Sequence, residues 1–320
     1  GEVLDWHVEA APATPRAAHA DGLLALAWSP RGDLLATAGQ DAAVRLWTAA
    51  GALAAELPQP DAWVQALAWS PDGGWLAVGC GKHLEVWDLA GPAPRSQGRL
   101  GPHASTITAL AWLPGDGGLA VAAYGGVTVW PIAAGSGTRE RLGDAKAPQP
   151  RHLPFKGSLL TLAVSPDGRY YATGNQDGTV HLWYAASGED LEMTGYPTKV
   201  RELAWDPRSR FIATGGSSSV TLWDMRGRGP AGSRPLVLDA HEDFVTAIAC
   251  QPGGDMLAST ARDGEVCLWR PMRGPDLRGR DLQAAVTLGE PAAAMGWRPD
   301  GRHLVAAGRG GRLLAFPVAR

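Results

Sequence analysis

Apolar and polar residues alternate along this chain in short stretches, and the same arrangement of stretches returns seven times. Its clearest form is Ser165 to Trp183, SPDGRYYATGNQDGTVHLW. Pro166-Asp167-Gly168 is turn chemistry and Tyr170 to Thr173 alternates as a strand does. Asn175 to Gly178 turns again, and Val180 to Trp183 is a second strand. A further apolar run precedes each first turn, at Leu24–Trp28, Ala66–Trp69, Ala109–Trp112, Thr161–Val164, Glu202–Trp205, Ala247–Cys250 and Ala294–Trp297. The first-turn prolines are Pro30, Pro71, Pro114, Pro166, Pro207, Pro252 and Pro299, and an aromatic closes each unit 16 or 17 residues later, at Trp47, Trp87, Trp130, Trp183, Trp223, Trp269 and Phe316. Successive aromatics lie 40, 43, 53, 40, 46 and 47 residues apart, so the unit keeps its length while the connector varies, as surface loops do.

The pattern predicts an all-β chain of many short strands. A length of 320 residues would allow two domains, but the copies consume it as one array over 1–320, with cores near 19–47, 60–87, 103–130, 155–183, 196–223, 241–269 and 288–316. The stretch 2–8 alternates like a strand although it matches no part of the unit. Since Phe316 stands four residues before Arg320, this strand is expected to supply the outer strand of the last copy and close the ring, with Pro12 to Ala18 as a linker. The long connector Pro131–Phe155 reads as an insertion or a contact element. The connector after Trp269, with Arg270, Arg273, Arg278 and Arg280, reads as a solvated loop, with a contact role as the alternative.

Composition narrows the picture. The 42 Gly and 25 Pro are turn punctuation, and 14 Trp within 45% hydrophobic residues supply a core. A net charge of -3 and a pI near 6.3 argue against nucleic acid as partner. The cysteines follow the repeat: Cys250 replaces a strand-ending Trp, Cys267 lies in VCLW, and Cys80 is placed in a turn. They read as packing residues in a reducing compartment, so a cytoplasmic location is expected. No apolar stretch reaches the eighteen or so residues of a membrane span, and no leader is read at the amino terminus; the sequence opens at Gly1 without Met, which leaves a removed signal open. The bias toward Ala, Gly, Arg and Pro hints at a GC-rich bacterial source.

These copies resemble the WD-repeat, or beta-transducin, family. Trp87-Asp88 and Trp223-Asp224 are its literal pairs, and His19, His103 and His241 hold the family's His place without the Gly that usually precedes it. The resemblance implies a seven-bladed β-propeller of four-stranded antiparallel blades, in a stand-alone bacterial member. It also implies a structural hydrogen-bond network of His, Ser or Thr, Asp and Trp. In the first copy these are His19, Thr37, Asp41 and Trp47, at offsets of 18, 22 and 28, and His241, Ser259, Asp263 and Trp269 repeat those offsets in the sixth. The fourth copy keeps Thr173, Asp177 and Trp183 but has Phe155 where His belongs.

Asp beside His invites a catalytic reading, but a triad converges once at a cleft, whereas this grouping recurs in different copies, as a structural network does. No catalytic residue is assigned. The eight His show no HExxH spacing and no Cys–His cluster, so no metal is expected. GGSSS and AGRGGR match no nucleotide fingerprint, so no cofactor is expected either. What remains is a surface. The second turns share one rim with the loops that lead into each first strand. The residue at the mouth of those loops is Gly22, Trp63, Thr106, Ser158, Lys199, Phe244 or Pro291. Trp63 and Phe244 are expected to face solvent, with Gln40, Tyr124, Gln176, Arg262 and Arg309 on the second turns and Arg201 on a first strand. Aromatics edged by arginine and amide groups suit a protein or peptide partner of a monomeric, non-enzymatic scaffold. The alternative is an enzyme or small-ligand binder that uses the central channel.

Overall fold

In the computed structural model the described residues are 2–7, 10–17, 19–20, 22–58, 63–115, 117–132, 149–227, 229–274, 276–280, 282–310 and 312–318. Every regular element among them is a strand. They divide into two compact units, Gly1–Leu159 and Leu160–Arg320.

The first unit holds three four-stranded antiparallel sheets. Sheet one is Leu23–Trp28, Leu34–Gly39, Ala43–Thr48 and Leu53–Pro58; sheet two is Val64–Trp69, Trp75–Cys80, His83–Asp88 and Arg95–Leu100; sheet three is Ala109–Trp112, Leu119–Ala123, Gly125–Trp130 and Arg151–Phe155. In the second unit, sheet four is Leu159–Val164, Tyr170–Asn175, Val180–Tyr184 and Asp190–Met193. Sheet five is Leu203–Trp205, Phe211–Thr214, Ser219–Asp224 and Leu236–Asp239. Sheet six is Val245–Cys250, Leu257–Ala261, Glu265–Trp269 and Leu282–Thr287. Sheet seven has three strands among the described residues, Ala292–Trp297, His303–Gly308 and Leu313–Pro317.

Second strands such as Trp75–Cys80, Tyr170–Asn175 and Leu257–Ala261 are buried at every position. They are covered on both faces and therefore lose the alternation of a half-exposed strand and fill with small or apolar residues. The cores lie between neighbouring sheets: Leu46, Leu57, Val64 and Val78 between sheets one and two, Leu84, Ile107 and Val121 between two and three. In the second unit Tyr170, Leu182, Val200 and Ile212 pack between sheets four and five, and Phe211, Val245, Leu257 and Trp269 between five and six. A repeated bond stitches first strands together, with Trp69 Nε1 donating to the Ala27 carbonyl at 2.9 Å, Trp112 to Ala68 at 2.9 Å and Trp297 to Ala249 at 3.0 Å.

The first turn needs a left-handed residue. Gly168 supplies it in sheet four at φ 72°, but in sheet five the place falls to Ser209, at φ 56°. Ser209 offsets that cost with a bond, its Oγ accepting from the Asp167 amide of sheet four at 3.0 Å.

Four expectations are corrected. The strand Glu2–His7 pairs not with the last copy but with Ala10–Ala17, in the register Glu2↔Ala17 to His7↔Ala10. The segment read as a linker is thus a strand. A neighbour in sequence closes a far smaller loop than a partner some three hundred residues away, which favours the local hairpin. Cys80 is not in a turn; it ends the second strand of sheet two, opposite His83. The connector after Trp269 is not a plain loop, since Met272–Arg273 and Asp276–Leu277 pair as a small hairpin. The interior of the long connector, 133–148, and the expected start of the second copy at Pro60 lie outside the described residues.

Candidate functional site

The His–Asp groupings come first because they carry the strongest chemistry. In sheet one, His19 Nδ1 donates to Asp41 Oδ1 at 2.7 Å; Thr37 Oγ1 lies 2.9 Å from His19 Nε2 and accepts from Trp47 Nε1 at 2.9 Å. With Nδ1 protonated, Nε2 accepts the Thr37 hydroxyl proton and every polar atom of the set is satisfied. Arg45 joins them, bonding Asp41 Oδ2 at 2.7 Å and Glu56 at 2.9 Å. Burial pushes the Asp41 carboxyl up, but the bonds from Arg45 and His19 outweigh it and bring the pKa to about 2.

Sheet six repeats the core of this set. Ser259 Oγ lies 2.8 Å from His241 Nε2 and accepts from Trp269 Nε1 at 2.9 Å. Asp263 accepts the Glu242 and Glu265 amides, both at 2.8 Å, and stands 3.3 Å from His241 Nδ1 without hydrogen-bond alignment. Burial holds the His241 pKa below the usual imidazole range, against the pull of Asp263. In sheet four the residues found by spacing make further local bonds. Thr173 donates to Asn175 at 3.1 Å, Asp177 accepts from Thr179 at 2.8 Å, and Phe155 belongs to the outer strand of sheet three.

Sequence reasoning missed a variant in sheet five. Tyr196 takes the His place, its hydroxyl accepting from Trp223 Nε1 at 2.8 Å and meeting Thr214 Oγ1 at 2.7 Å. In sheet three His103 Nε2 accepts directly from Trp130 Nε1 at 3.2 Å, while Nδ1 donates to the Lys82 carbonyl at 3.0 Å. The sets in sheets one, three, five and six each hold a closing Trp, and the Thr37 and Ser259 hydroxyls that meet a histidine are fully buried, out of reach of a substrate. Among the described residues no group of three or more His, Cys, Asp or Glu is placed to hold a metal ion. The cysteines are free thiols, and burial pushes Cys267 up to about 12 and Cys250 higher still, away from reactive thiolate character.

The rim residues are placed by backbone bonds that repeat from sheet to sheet. The second turn docks on its own lead-in loop: Gln40 N on the Gly22 carbonyl at 3.0 Å, Arg262 on Phe244 at 3.0 Å, Arg309 on Pro291 at 2.9 Å. Trp63 and Tyr124 in the first unit are 53% and 51% exposed, and Phe244 in the second is 38% exposed. Lys199, Arg201, Gln176, Arg262 and Arg309 are exposed as well, whereas Gln40 is half-buried. The Arg262 guanidinium lies over the Phe244 ring, 5.5 Å from its centre. Beside Phe244 is a cleft of about 250 Å³ lined by Pro197, Ser217, Ser218, Glu242, Asp243 and Phe244. Glu202, next to Arg201 on the first strand of sheet five, escaped the sequence reading. Burial pushes its carboxyl up, in part offset by the Arg201 amide and by the charges of Arg201 and Arg262.

Seven antiparallel sheets, with a buried polar set holding the closing tryptophan in sheets one, three, five and six, define the chain as a seven-bladed β-propeller. A solved structure titled "Crystal Structure of Mitotic Checkpoint Complex" contains a chain of the same fold, with a TM-score of 0.70 and 22% identity over 92% of this chain and 90% of that one. The WD domain, G-beta repeat model matches residues 150–184, 190–224 and 232–270, and the anaphase-promoting complex subunit 4 WD40 domain model matches 26–89. This chain belongs to the WD-repeat family. Similar proteins include Protein HIR1 of Yarrowia lipolytica, 28% identical over 54% of this chain and 19% of the relative, and Coronin-7 of Homo sapiens, 30% identical over 52% and 18%. Small ribosomal subunit protein RACK1 of Medicago sativa is 31% identical over 31% of this chain and 29% of the relative. The chain spans about a fifth of the length of the first two.

Proposed function

We propose that this propeller is a non-enzymatic scaffold that binds a protein or peptide on the rim carrying its second turns. The observation that carries the reading is the exposure of Trp63 and Phe244, which hold the same place in the second and sixth copies. An exposed aromatic at the mouth of a lead-in loop stays in water at a cost unless a partner covers it, and aromatics with arginine dominate the energetics of protein interfaces. The Arg262 guanidinium covers one face of the Phe244 ring, and the adjoining cleft gives a partner side chain somewhere to seat. WD-repeat relatives act as protein-interaction scaffolds, which supports the same reading. We place its action in a reducing, cytoplasmic setting, as a monomer, without nucleic acid or membrane.

Pull-down from a lysate of the source organism with mass spectrometry tests this. Trp63→Ala and Phe244→Ala proteins should melt like the parent yet lose the captured partner, each by roughly 2 kcal/mol or more where the ring is a central anchor. Full retention of every captured protein by both variants contradicts the rim reading.

A further inference from the structure

The connector that follows Trp269 does more than join two strands. Its hairpin is pinned from below: Met272 is 6% exposed and packs in the core between blades five and six, with Leu277 against the same cluster. The base is tied by two amides on one carbonyl, Arg278 N and Gly279 N on Pro271 O at 3.1 and 2.7 Å. A side chain at Gly279 would meet the Arg270 carbonyl at 1.9 Å, so only glycine lets the two arms come this close. A solvated loop has no need of a buried methionine anchor. This one is a fixed platform, and what it presents is arginine.

Around it lies a continuous set of charges from blades five and six. Arg210 binds the buried Asp206 through both nitrogens, at 2.8 and 2.6 Å, and reaches across to Asp255 at 2.7 Å; Arg208 shares Asp255 at 3.1 Å. The Asp255 carboxyl is held below its usual range by the bond from Arg210, and the charges of Arg208 and Arg270 add to the effect. Arg226, just past the third strand of blade five, is paired with Asp224, and the charge of Asp276 on the hairpin adds to the rise of its pKa. Among the described residues guanidiniums outnumber carboxylates here. Arg278 is 77% exposed and only 3.7 Å from Asp276, while Arg270 and Arg280 are exposed with no ion pair among the described residues.

We infer that this face, at the first-turn end of blades five and six and so opposite the second-turn rim, is a second docking surface whose occupant is an acidic segment of a partner protein. Its guanidiniums already show the match, since each paired one holds a carboxylate and Arg210 does so bidentately. A nucleic acid fits less well. Asp224, Asp255 and Asp276 interrupt the positive surface and would repel a continuous phosphate backbone, whereas a peptide can place its acids between them.

The test is a display selection with random twelve-residue peptides, panned against the parent chain and against the R270E/R280E protein, whose two substitutions lie on exposed positions and should leave the melting curve unchanged. Peptides kept by the parent and lost by the variant should be rich in Asp and Glu. A representative synthesised with a fluorophore should bind the variant at least tenfold more weakly, and lose affinity as salt rises. Phe244→Ala should bind it like the parent, which separates this surface from the rim. The inference is overturned if no peptide distinguishes the two proteins, if those that do are neutral or basic, or if a twelve-nucleotide single strand binds the parent more tightly than the acidic peptide.

Discussion

The first and sixth blades carry the same four residue types at the same offsets, yet their networks behave as different chemistry. In blade one Asp41 is bonded to a protonated imidazole nitrogen and to Arg45, and its pKa falls to about 2. In blade six the position of Arg45, two before the closing Trp, is Cys267, buried and unable to offer charge. Asp263 therefore spends itself on two backbone amides, and His241 is left as a buried, neutral ring. One residue two positions from the tryptophan decides whether a blade is closed by coupled charges or by neutral hydrogen bonds.

Removing the aspartate separates the two most strongly. Asp41→Ala leaves Arg45 and His19 without their shared acceptor and should cost roughly 2–3 kcal/mol. Asp263→Ala forfeits two amide bonds and should cost roughly 1–2 kcal/mol, and Asp300→Ala, on an exposed first turn, should leave the melting temperature where it is. Chemical denaturation of the three proteins checks the order. Equal losses at Asp41 and Asp263 would erase the distinction.

Acid should reach the two blades at different pH. A histidine whose folded pKa is lowered stabilises fully above the ordinary imidazole value near 6.5 and loses that contribution as pH falls below it. His241 and His103 are such groups, through burial first. An aspartate whose folded pKa is lowered keeps its contribution above its ordinary value, 3.8, and loses it only as pH falls toward the folded one. For Asp41 that window runs from 3.8 to about 2 and is worth about 2 kcal/mol. Hydrogen exchange followed from pH 7 to 4 should thus show blades three and six loosening while the strands around Asp41 stay protected.

A smaller effect sits one residue further on. Blade six has Gly264 after its aspartate at φ 83°, whereas blade one has Ala42 there, left-handed at φ 55°. Ala42→Gly should relieve that conformation and raise stability by less than about 1 kcal/mol, after the entropy glycine costs in the unfolded chain. Gly264→Ala should destabilise by roughly 1–2 kcal/mol, since its Cβ would meet the Glu290 carbonyl at 2.6 Å. Opposite signs in thermal melts are the expected result.

Much of this was written in the repeat. Strand positions followed from apolar alternation and Pro-Asp-Gly turns because each blade solves the same local problem. Tyr196 was legible too, since it precedes Thr214 by the 18 residues that separate His19 from Thr37, but a search for histidine passes over a hydroxyl that does the same bonding. The hairpin after Trp269 was hidden because only two residues pair on each side, and its anchor, Met272, stands alone without a period to reveal it. Alternation in 2–8 announced a strand but not its partner, since pairing is decided by what lies within reach. Nothing in spacing alone marked Glu202, whose character comes from burial.

The proposed function divides the labour: buried polar sets hold the blades, and the exposed aromatics are to bind the partner. Titration of a captured rim partner against Phe244→Ala and Asp263→Ala, each with its melting curve, measures that division directly. Phe244→Ala should keep the parent melting temperature and bind roughly thirtyfold more weakly, and Asp263→Ala should melt earlier while binding like the parent below its transition. Loss of affinity in Asp263→Ala with Phe244→Ala unaffected would contradict it.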